Sequence, residues 1–219
     1  MLFISPPFGN YINLPHTISI KGSFTLEKRD GLFLQILKTL RYSYVYKGWV
    51  NKIGLRNKGI DSIVNNYDKN SIYSIAILNK NEIKKIQEKI PNDMNIEINI
   101  SCPNVEKEND FDLKDFLNIK RNWCIIKLSP TVDHKLIDKY YKQGFRQFHC
   151  SNTIPIKEGG LSGNSIIYYN NKLIKHIKEH YKDTIIIAGG GIQNINDIYY
   201  YKLLGADHYS VSTLLFNPF

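Results

Sequence analysis

The sequence predicts an α/β protein with a parallel sheet, closed as a (β/α)8 barrel. Strand-like and helix-like segments alternate regularly from residue 71 onward, and two further strand-like segments precede them. No linker, internal repeat or low-complexity segment interrupts the 219 residues. We therefore expect one domain covering residues 1–219, shorter than the roughly 250 residues typical of this fold.

The predicted strands are short apolar or alternating segments bounded by polar residues. In chain order they are Leu2–Ser5, Thr17–Phe24, Ser71–Leu78, Met94–Ser101, Cys124–Ser129, Arg146–Ser151, Thr184–Ala188 and His208–Ser212. The predicted helices carry apolar residues at helical spacing. They are Leu32–Leu40, Asn81–Ile90, Leu113–Leu117, Val132–Gln143, Ser165–Tyr181 and Asn194–Leu204.

The pattern also predicts where the barrel departs from eight full units. No long helix separates the first two strands, and nothing after the last strand has the length of a covering helix. Trp49–Ile53 is expected to be a short connector. We therefore predict a barrel reduced at its N-terminal βα unit and lacking the final helix, with part of its wall open.

Composition and charge exclude several classes of protein. Hydrophobic residues make up 42% of the chain, which argues against disorder, and no apolar run is long enough to span a bilayer. We expect a cytoplasmic protein. The net charge is +9, but the lysines are spread along predicted helix faces, which favours a solvated surface over a nucleic-acid site. The same positive field would also attract a phosphate-bearing small ligand.

Polar residues line one face of the strand Met94–Ser101, and the segment Asn99–Asn104 (NISCPN) closes it. Glu97 lies on the polar face. Ligands of parallel α/β folds bind at the C-terminal ends of strands, where Cys102 leaves this strand. The pattern predicts a site containing a thiol and amides. By contrast, Cys124 and Cys150 fall within predicted strands and are expected to be small buried hydrophobes.

Glycine and hydroxyl clusters follow the later strands. Gly159–Gly163 precedes a predicted helix, Gly189–Gly191 follows one strand, and Ser212-Thr213 closes the last. Loop N–H groups can bind a phosphate, and the loops after the last two barrel strands are a frequent phosphate site. Tight turns are the alternative explanation for each cluster.

Lys127 lies within the apolar strand Cys124–Ser129. A buried lysine needs a compensating charge, either an anionic ligand or Glu97 on the neighbouring strand. A lysine that reaches solvent from the strand end is the alternative. Asn152 and Thr153 follow the next strand and add polar groups at the same end of the barrel.

These motifs together resemble the dihydroorotate dehydrogenases, which are FMN-dependent (β/α)8 barrels of pyrimidine synthesis. The shared motifs, in the family's order, are Asn99–Asn104 (NISCPN), Ile126–Pro130 (IKLSP), Ser151–Thr153 (SNT), Gly159–Gly163 (GGLSG), Ala188–Ile192 (AGGGI) and Ser212-Thr213. Upstream, Lys21 with Thr25–Gly31 (TLEKRDG), and Trp49–Leu55 (WVNKIGL), resemble two further family segments. The resemblance covers about residues 17 to 218 and indicates a class 1-like member with a cysteine base.

The resemblance implies a role for each matching residue. Cys102 resembles the base that removes the C5 proton of dihydroorotate while hydride leaves C6. Lys21 resembles a lysine that contacts flavin and substrate, and Lys127 the lysine beside the flavin N1–O2 edge. The implied substrate contacts are Asn51, Asn99, Asn104, Asn152 and Thr153. The implied FMN contacts are Lys21, Asn99, Lys127, Gly163, Gly190, Gly191, Ser212 and Thr213.

The chain also departs from the family pattern. The small-residue loop after the first strand has no match, and Phe8–Tyr11 stands nearby instead. One extra residue separates Lys21 from Thr25. We expect a homodimer or a partner chain to cover the open part of the barrel wall.

Two other functions stay open at the level of sequence. One is a noncatalytic FMN-binding or scaffold homologue. The other is a flavin reductase of another pyrimidine, such as a tRNA dihydrouridine synthase. The oxidant is also open among fumarate, oxygen, a quinone and a partner protein.

Overall fold

A computed structural model describes residues 1–100 and 111–216. The strands in those residues, numbered in chain order, are β1 (Leu2–Ile4), β2 (Thr17–Phe24), β3 (Arg41–Ser43), β4 (Gly48–Asn51), β5 (Ile72–Ala76), β6 (Ile96–Asn99), β7 (Cys124–Leu128), β8 (Gln147–Cys150), β9 (Ile154–Ile156), β10 (Gly159–Gly163), β11 (Ile185–Gly189) and β12 (His208–Val211).

The α-helices of the described residues are α1 (Leu32–Thr39), α2 (Asp61–Val64), α3 (Glu82–Lys89), α4 (His134–Lys142), α5 (Ile167–His180) and α6 (Ile195–Leu203). Short 3-10 helices are Phe8–Asn10, Lys114–Phe116, Asn164–Ile166 and Thr213–Phe216. None of the helices in residues 1–100 and 111–216 combines the length and apolar character needed to cross a membrane.

Eight parallel strands form a closed barrel in the order β1-β12-β11-β8-β7-β6-β5-β2. These are the eight strands that the sequence predicts, and the (β/α)8 class is confirmed. The first unit is reduced as expected, since only the 3-10 helix Phe8–Asn10 lies between β1 and β2.

The prediction of an open wall is wrong for the strands themselves. β1 pairs with β12 in register, with Leu2 opposite Tyr209 and Ile4 opposite Val211. Ile4 and Val211 are both buried. Backbone pairing therefore closes the ring without help from a helix after β12.

The barrel interior is layered because alternate side chains of each strand point inward. An apolar layer closes its N-terminal end and consists of Phe3, Ile20, Ile72, Ile125 and Ile187. The next inward positions toward the C-terminal end are polar. This polar layer consists of Ser74, Glu97, Lys127, His149 and Ser210. The apolar layer thus supports a polar site from below.

The outward faces of the strands pack against the helices in the main core. Cys124 and Cys150 belong to this core, so their predicted role as buried hydrophobes is confirmed. Burial raises the pKa of Cys124 to about 12, which keeps that thiol protonated and unreactive at neutral pH.

The sequence does not predict the second sheet, which is antiparallel with the order β3-β4-β10-β9. The expected connector Trp49–Ile53 supplies β4, and the expected glycine loop Gly159–Gly163 is the strand β10. A Cβ on Gly159 would lie 2.4 Å from the Asn51 carbonyl oxygen, and one on Gly160 would lie 2.6 Å from Thr153 Oγ1. These glycines therefore allow β10 to pack closely against the segments that contain Asn51 and Thr153. The predicted helix Leu113–Leu117 is also wrong, because that segment forms a single 3-10 turn.

Candidate functional site

A cavity of 290 Å³ lies at the C-terminal end of the barrel, between the barrel rim and the second sheet. The segments that follow β1, β8, β11 and β12 all contribute to its wall, as does Trp49 from β4. The predicted site residues that border it are Asn51, Lys127, Asn152, Thr153, Gly163, Gly190, Gly191, Ser212 and Thr213. Residues far apart in the chain thus meet at one surface.

Asn99 contacts this surface through Asn152. The Asn152 side-chain amide donates to Asn99 Oδ1 at 3.3 Å, and Asn99 Nδ2 donates to Ser23 Oγ at 3.0 Å. The Asn152 oxygen accepts from the backbone N–H of Thr153 at 2.8 Å. These bonds fix the orientation of both amides, which a rigid heterocyclic ligand requires.

Lys21 is not among the residues that border the cavity, and its contacts with flavin and substrate stay a prediction. It pairs with Tyr73 across β2 and β5, on the outer face of the barrel, and its Nζ lies 5.6 Å from the Tyr73 ring centroid. The reason is the alternation of β2. The extra residue before Thr25 forms a bulge between Gly22 and Phe24, and Ser23 faces inward beyond it, bonded to Ser74.

Cys102 and Asn104 lie outside the described residues. They follow Asn99, which ends β6 near the cavity. Their roles as base and substrate amide stay predictions.

A buried ionic network lies directly beneath the cavity. Glu97 accepts from Ser74 Oγ at 2.7 Å and from Lys127 Nζ at 3.3 Å, both on Oε1. His149 Nδ1 lies 2.5 Å from Glu97 Oε2, and His149 Nε2 lies 2.7 Å from Ser210 Oγ. Lys127 and Ser210 border the cavity, so the network links its wall to the barrel interior.

The network holds one negative and one positive charge. Burial alone would raise the pKa of Glu97, but Lys127, His149 and Ser74 outweigh it and keep that pKa below its usual value. Burial lowers the pKa of His149, so the imidazole is neutral. An ionised Glu97 only accepts hydrogen bonds, so Nδ1 of His149 carries the proton and Nε2 accepts from Ser210.

The loop after β11 offers backbone donors to the cavity. No acceptor in residues 1–100 and 111–216 takes the amide N–H of Gly190 or Gly191. Both glycines have a φ of +80°, and a Cβ on Gly190 would lie 2.2 Å from Ile166 Cδ1. Glycine is therefore required at this loop by conformation and by packing.

The family model described as dihydroorotate dehydrogenase matches residues 10–143. The chain belongs to the dihydroorotate dehydrogenase family. It is 32% identical to the "Dihydroorotate dehydrogenase B (NAD(+)), catalytic subunit" of Brachyspira hyodysenteriae, over 96% of this chain and 80% of the relative. It is 28% identical to the protein of the same name from Halalkalibacterium halodurans, over 95% of this chain and 79% of the relative.

The fold agrees with solved structures of the family. The dihydroorotate dehydrogenase of Eimeria tenella in complex with ferulenol superposes with a TM-score of 0.77 at 15% identity, covering 99% of this chain and 76% of that one. The family's barrel is thus present in a shorter and divergent member.

The cavity of this dihydroorotate dehydrogenase family member suits a flavin phosphate. The Gly190 and Gly191 N–H groups are donors without a protein acceptor in the described residues. Ser5 also borders the cavity and is 5% exposed, and its buried hydroxyl has no hydrogen-bond partner in the described part of the chain. Buried polar groups need partners, and a ligand that accepts hydrogen bonds would supply them.

An aromatic cluster also borders the cavity. Trp49 and Phe216 stack with ring centroids 4.6 Å apart, and Phe8 meets Phe216 edge-on at 4.8 Å. All three border the cavity. The cavity lining therefore includes both backbone hydrogen-bond donors and aromatic rings, as a ligand with a phosphate and a large planar ring system requires.

The sequence analysis missed several of these residues for different reasons. His149 lies on the inward face of a predicted strand. It shares that face with the polar residue Gln147, two positions earlier, and this pattern could have identified it. No local pattern connects Phe8, Trp49 and Phe216, because only the second sheet and the 3-10 turn after β12 bring them together.

Proposed function

We propose that the chain is an FMN-dependent oxidoreductase that converts dihydroorotate to orotate. One observation carries this proposal: a single cavity combines Lys127, the amides Asn51 and Asn152, and a glycine loop with N–H groups that lack protein acceptors in the described residues. A phosphate, a planar heterocycle and a carboxylate each find complementary groups there.

The proposed roles of the residues follow from their chemistry. Bound FMN would supply the acceptor for the hydride that leaves C6 of dihydroorotate. Cys102, as thiolate, takes the proton from C5, so that the C5–C6 double bond of orotate forms and both hydrogens are accounted for. Asn51, Asn99 and Asn152 hold the ring by hydrogen bonds, and Asn104 joins them in this proposal.

Lys127 places positive charge at the cavity wall. Negative charge that develops on the flavin ring during hydride transfer would be stabilised by this ammonium group. Glu97 accepts a hydrogen bond from Lys127 and so holds the ammonium group at the cavity wall. The phosphate of FMN would lie at Gly163, Gly190, Gly191, Ser212 and Thr213.

The names of the relatives suggest how electrons leave the protein. Both relatives described above are called catalytic subunits and carry NAD(+) in their names. We propose that this chain also passes electrons to a partner subunit in the cytoplasm. A homodimer stays a separate prediction.

An anaerobic titration of the purified, FMN-loaded protein tests the function. We expect dihydroorotate to bleach the visible absorbance of the oxidised flavin, and orotate to accumulate in equal amount. Cys102→Ala should bind FMN as the wild type does and bleach at least about a hundredfold more slowly, the lower end of the range for loss of a general base.

Two other outcomes would refute the proposal. FMN that binds but is not bleached would indicate a noncatalytic homologue. Reduction that requires tRNA, with salt-sensitive tRNA binding, would instead indicate a tRNA dihydrouridine synthase.

A further inference from the structure

Two buried side chains hold the carbonyl groups of the glycine loop that follows β11. Asn170, on α5, donates from Nδ2 to the Gly189 carbonyl oxygen at 2.6 Å. Tyr201, on α6, donates from its hydroxyl to the Gly190 carbonyl oxygen at 2.8 Å. Asn170 is 0% exposed and Tyr201 is 1% exposed, so neither side chain borders the cavity or can touch a ligand in it.

Because the peptide bond is planar, a contact that fixes the direction of a carbonyl also fixes the direction of the N–H group that follows it. Both peptide bonds of Gly189–Gly191 are trans. In a planar trans peptide the C=O and the N–H point in opposite directions. Holding the Gly189 carbonyl toward α5 therefore directs the Gly190 N–H away from that helix. Holding the Gly190 carbonyl toward α6 directs the Gly191 N–H in the same way.

The two N–H groups are the ones that lack acceptors in the described residues, and both glycines border the cavity. Glycine has the widest conformational freedom of any residue, so three in a row would otherwise sample many orientations. Each orientation that turns an N–H away from the cavity would lose a donor. If Asn170 and Tyr201 already fix the carbonyl groups of the loop, the loop loses less conformational entropy when an anion binds.

Tyr201 keeps its proton under all ordinary conditions, because burial raises the pKa of its hydroxyl. The group is therefore a permanent donor to the Gly190 carbonyl. It also lies 3.3 Å from the Gly189 carbonyl oxygen, so both carbonyls of the loop face the same pair of side chains.

We propose that Asn170 and Tyr201 are positioning residues for phosphate binding: they hold the carbonyls of Gly189 and Gly190 so that the N–H groups of Gly190 and Gly191 face the phosphate of the flavin. This inference rests on the proposed function, since it assumes that FMN is the ligand. Neither side chain takes part in hydride or proton transfer.

Comparing FMN with riboflavin isolates the phosphate, because the two ligands share the ring system and the ribityl chain. Affinity for each is measured by quenching of flavin fluorescence on titration with protein. Tyr201→Phe removes only the hydroxyl and keeps the packing of the ring. We expect it to weaken FMN binding about tenfold, the value of losing one hydrogen bond from the Gly191 N–H to the charged phosphate, and to leave riboflavin binding within about twofold of the wild type.

Asn170→Leu provides a second variant that removes the other donor, and the same selective loss of FMN affinity is expected. Tyr140→Phe is the matched control. Tyr140 is also a fully buried tyrosine, but it lies on α4 beside Phe145, outside the cavity wall. This control should leave both affinities unchanged, and thermal melting should show that each variant is folded.

The outcomes separate this inference from the proposed function. A wild-type protein that does not bind FMN would refute the proposed function, and the inference with it. A wild type that prefers FMN to riboflavin, with the same preference in Tyr201→Phe and Asn170→Leu, would refute only the inference. Equal weakening of FMN and riboflavin would also overturn it, because that result indicates general damage to the cavity.

Discussion

Replacing Glu97 by glutamine would leave a buried positive charge without its partner. Glu97 is 0% exposed, and the Lys127 ammonium lies 3.3 Å from its Oε1 atom. Glutamine keeps the shape of the side chain. Its amide oxygen can accept from Ser74, and its NH2 group can donate to His149 Nδ1 once the imidazole proton moves to Nε2. The substitution therefore removes the charge while it leaves most of the network's hydrogen bonds in place.

The expected loss of stability follows from the geometry. At 3.3 Å and an effective dielectric constant of about 20, the attraction between the two charges is about 5 kcal/mol. Desolvation of the pair offsets much of this attraction in the wild type, but removing one partner of a buried pair typically costs about 3–5 kcal/mol. We expect Glu97→Gln to lower the free energy of unfolding by that amount.

Urea denaturation at pH 7, followed by circular dichroism, measures this change. The double variant Glu97→Gln/Lys127→Met removes both charges and should recover most of the loss, so that the coupling energy is about 3 kcal/mol. Asp138→Asn is the matched control, because Asp138 forms an exposed ion pair with Lys142 and its loss should cost less than about 1 kcal/mol.

The pH dependence provides an independent check. The pKa of Glu97 is lower in the folded protein than in the unfolded chain, so the unfolded chain binds the proton first. The contribution of Glu97 to the free energy of unfolding is therefore fully present above about pH 4.5 and is lost as the pH decreases below that value. Glu97→Gln should flatten this part of the plot of stability against pH. A loss below about 1 kcal/mol at pH 7, or additive effects in the double variant, would show that the pair does not stabilise the barrel.

Three further changes have defined outcomes. Ser5→Ala removes a buried hydroxyl without a partner in the described residues, so it should stabilise the flavin-free protein by about 1 kcal/mol in urea denaturation and weaken FMN binding in titration. Tighter FMN binding would contradict this. Gly190→Ala would place a Cβ 2.2 Å from Ile166 at a φ of +80°, and a melting temperature within 2 °C of the wild type, on the scale of about 4 °C per kcal/mol, would contradict the expected destabilisation. Burial and the neighbouring His134 lower the pKa of His176, so the unfolded chain binds its proton first and stability should fall as the pH drops below about 6.5. His176→Gln should reduce the slope between pH 7 and 5, and an unchanged slope would refute this assignment.

Alternation explains why most of the barrel could be predicted. The side chains of each barrel strand alternate between two faces, and apolar outward residues pack in the main core with the helices. The pattern of buried side chains can therefore be read from neighbouring residues. Cys124 and Lys127 illustrate this point. Their opposite faces follow from odd and even positions in one strand, and the structure places Cys124 in the outer core and Lys127 at the cavity.

The second sheet shows the limit of such patterns. Gly159–Gly163 contains almost no side chains that could reveal a strand, and its partner Gly48–Asn51 lies more than a hundred residues earlier in the chain. The position of Lys21 could not be predicted for a related reason. The motif around it resembles the family's lysine segment, but one extra residue forms a bulge and the lysine stays on the outer face of the barrel.

The sequence by itself determined the order of strands and helices, the two faces of each strand, and the family motifs, because these depend on neighbouring residues. Only the tertiary structure decided which side chains meet. Closure of the ring brings Glu97, Lys127, His149 and Ser210 from four strands into one network. It also brings Asn170 and Tyr201 from two helices to one glycine loop. Such contacts depend on packing between distant segments, and no local pattern encodes them.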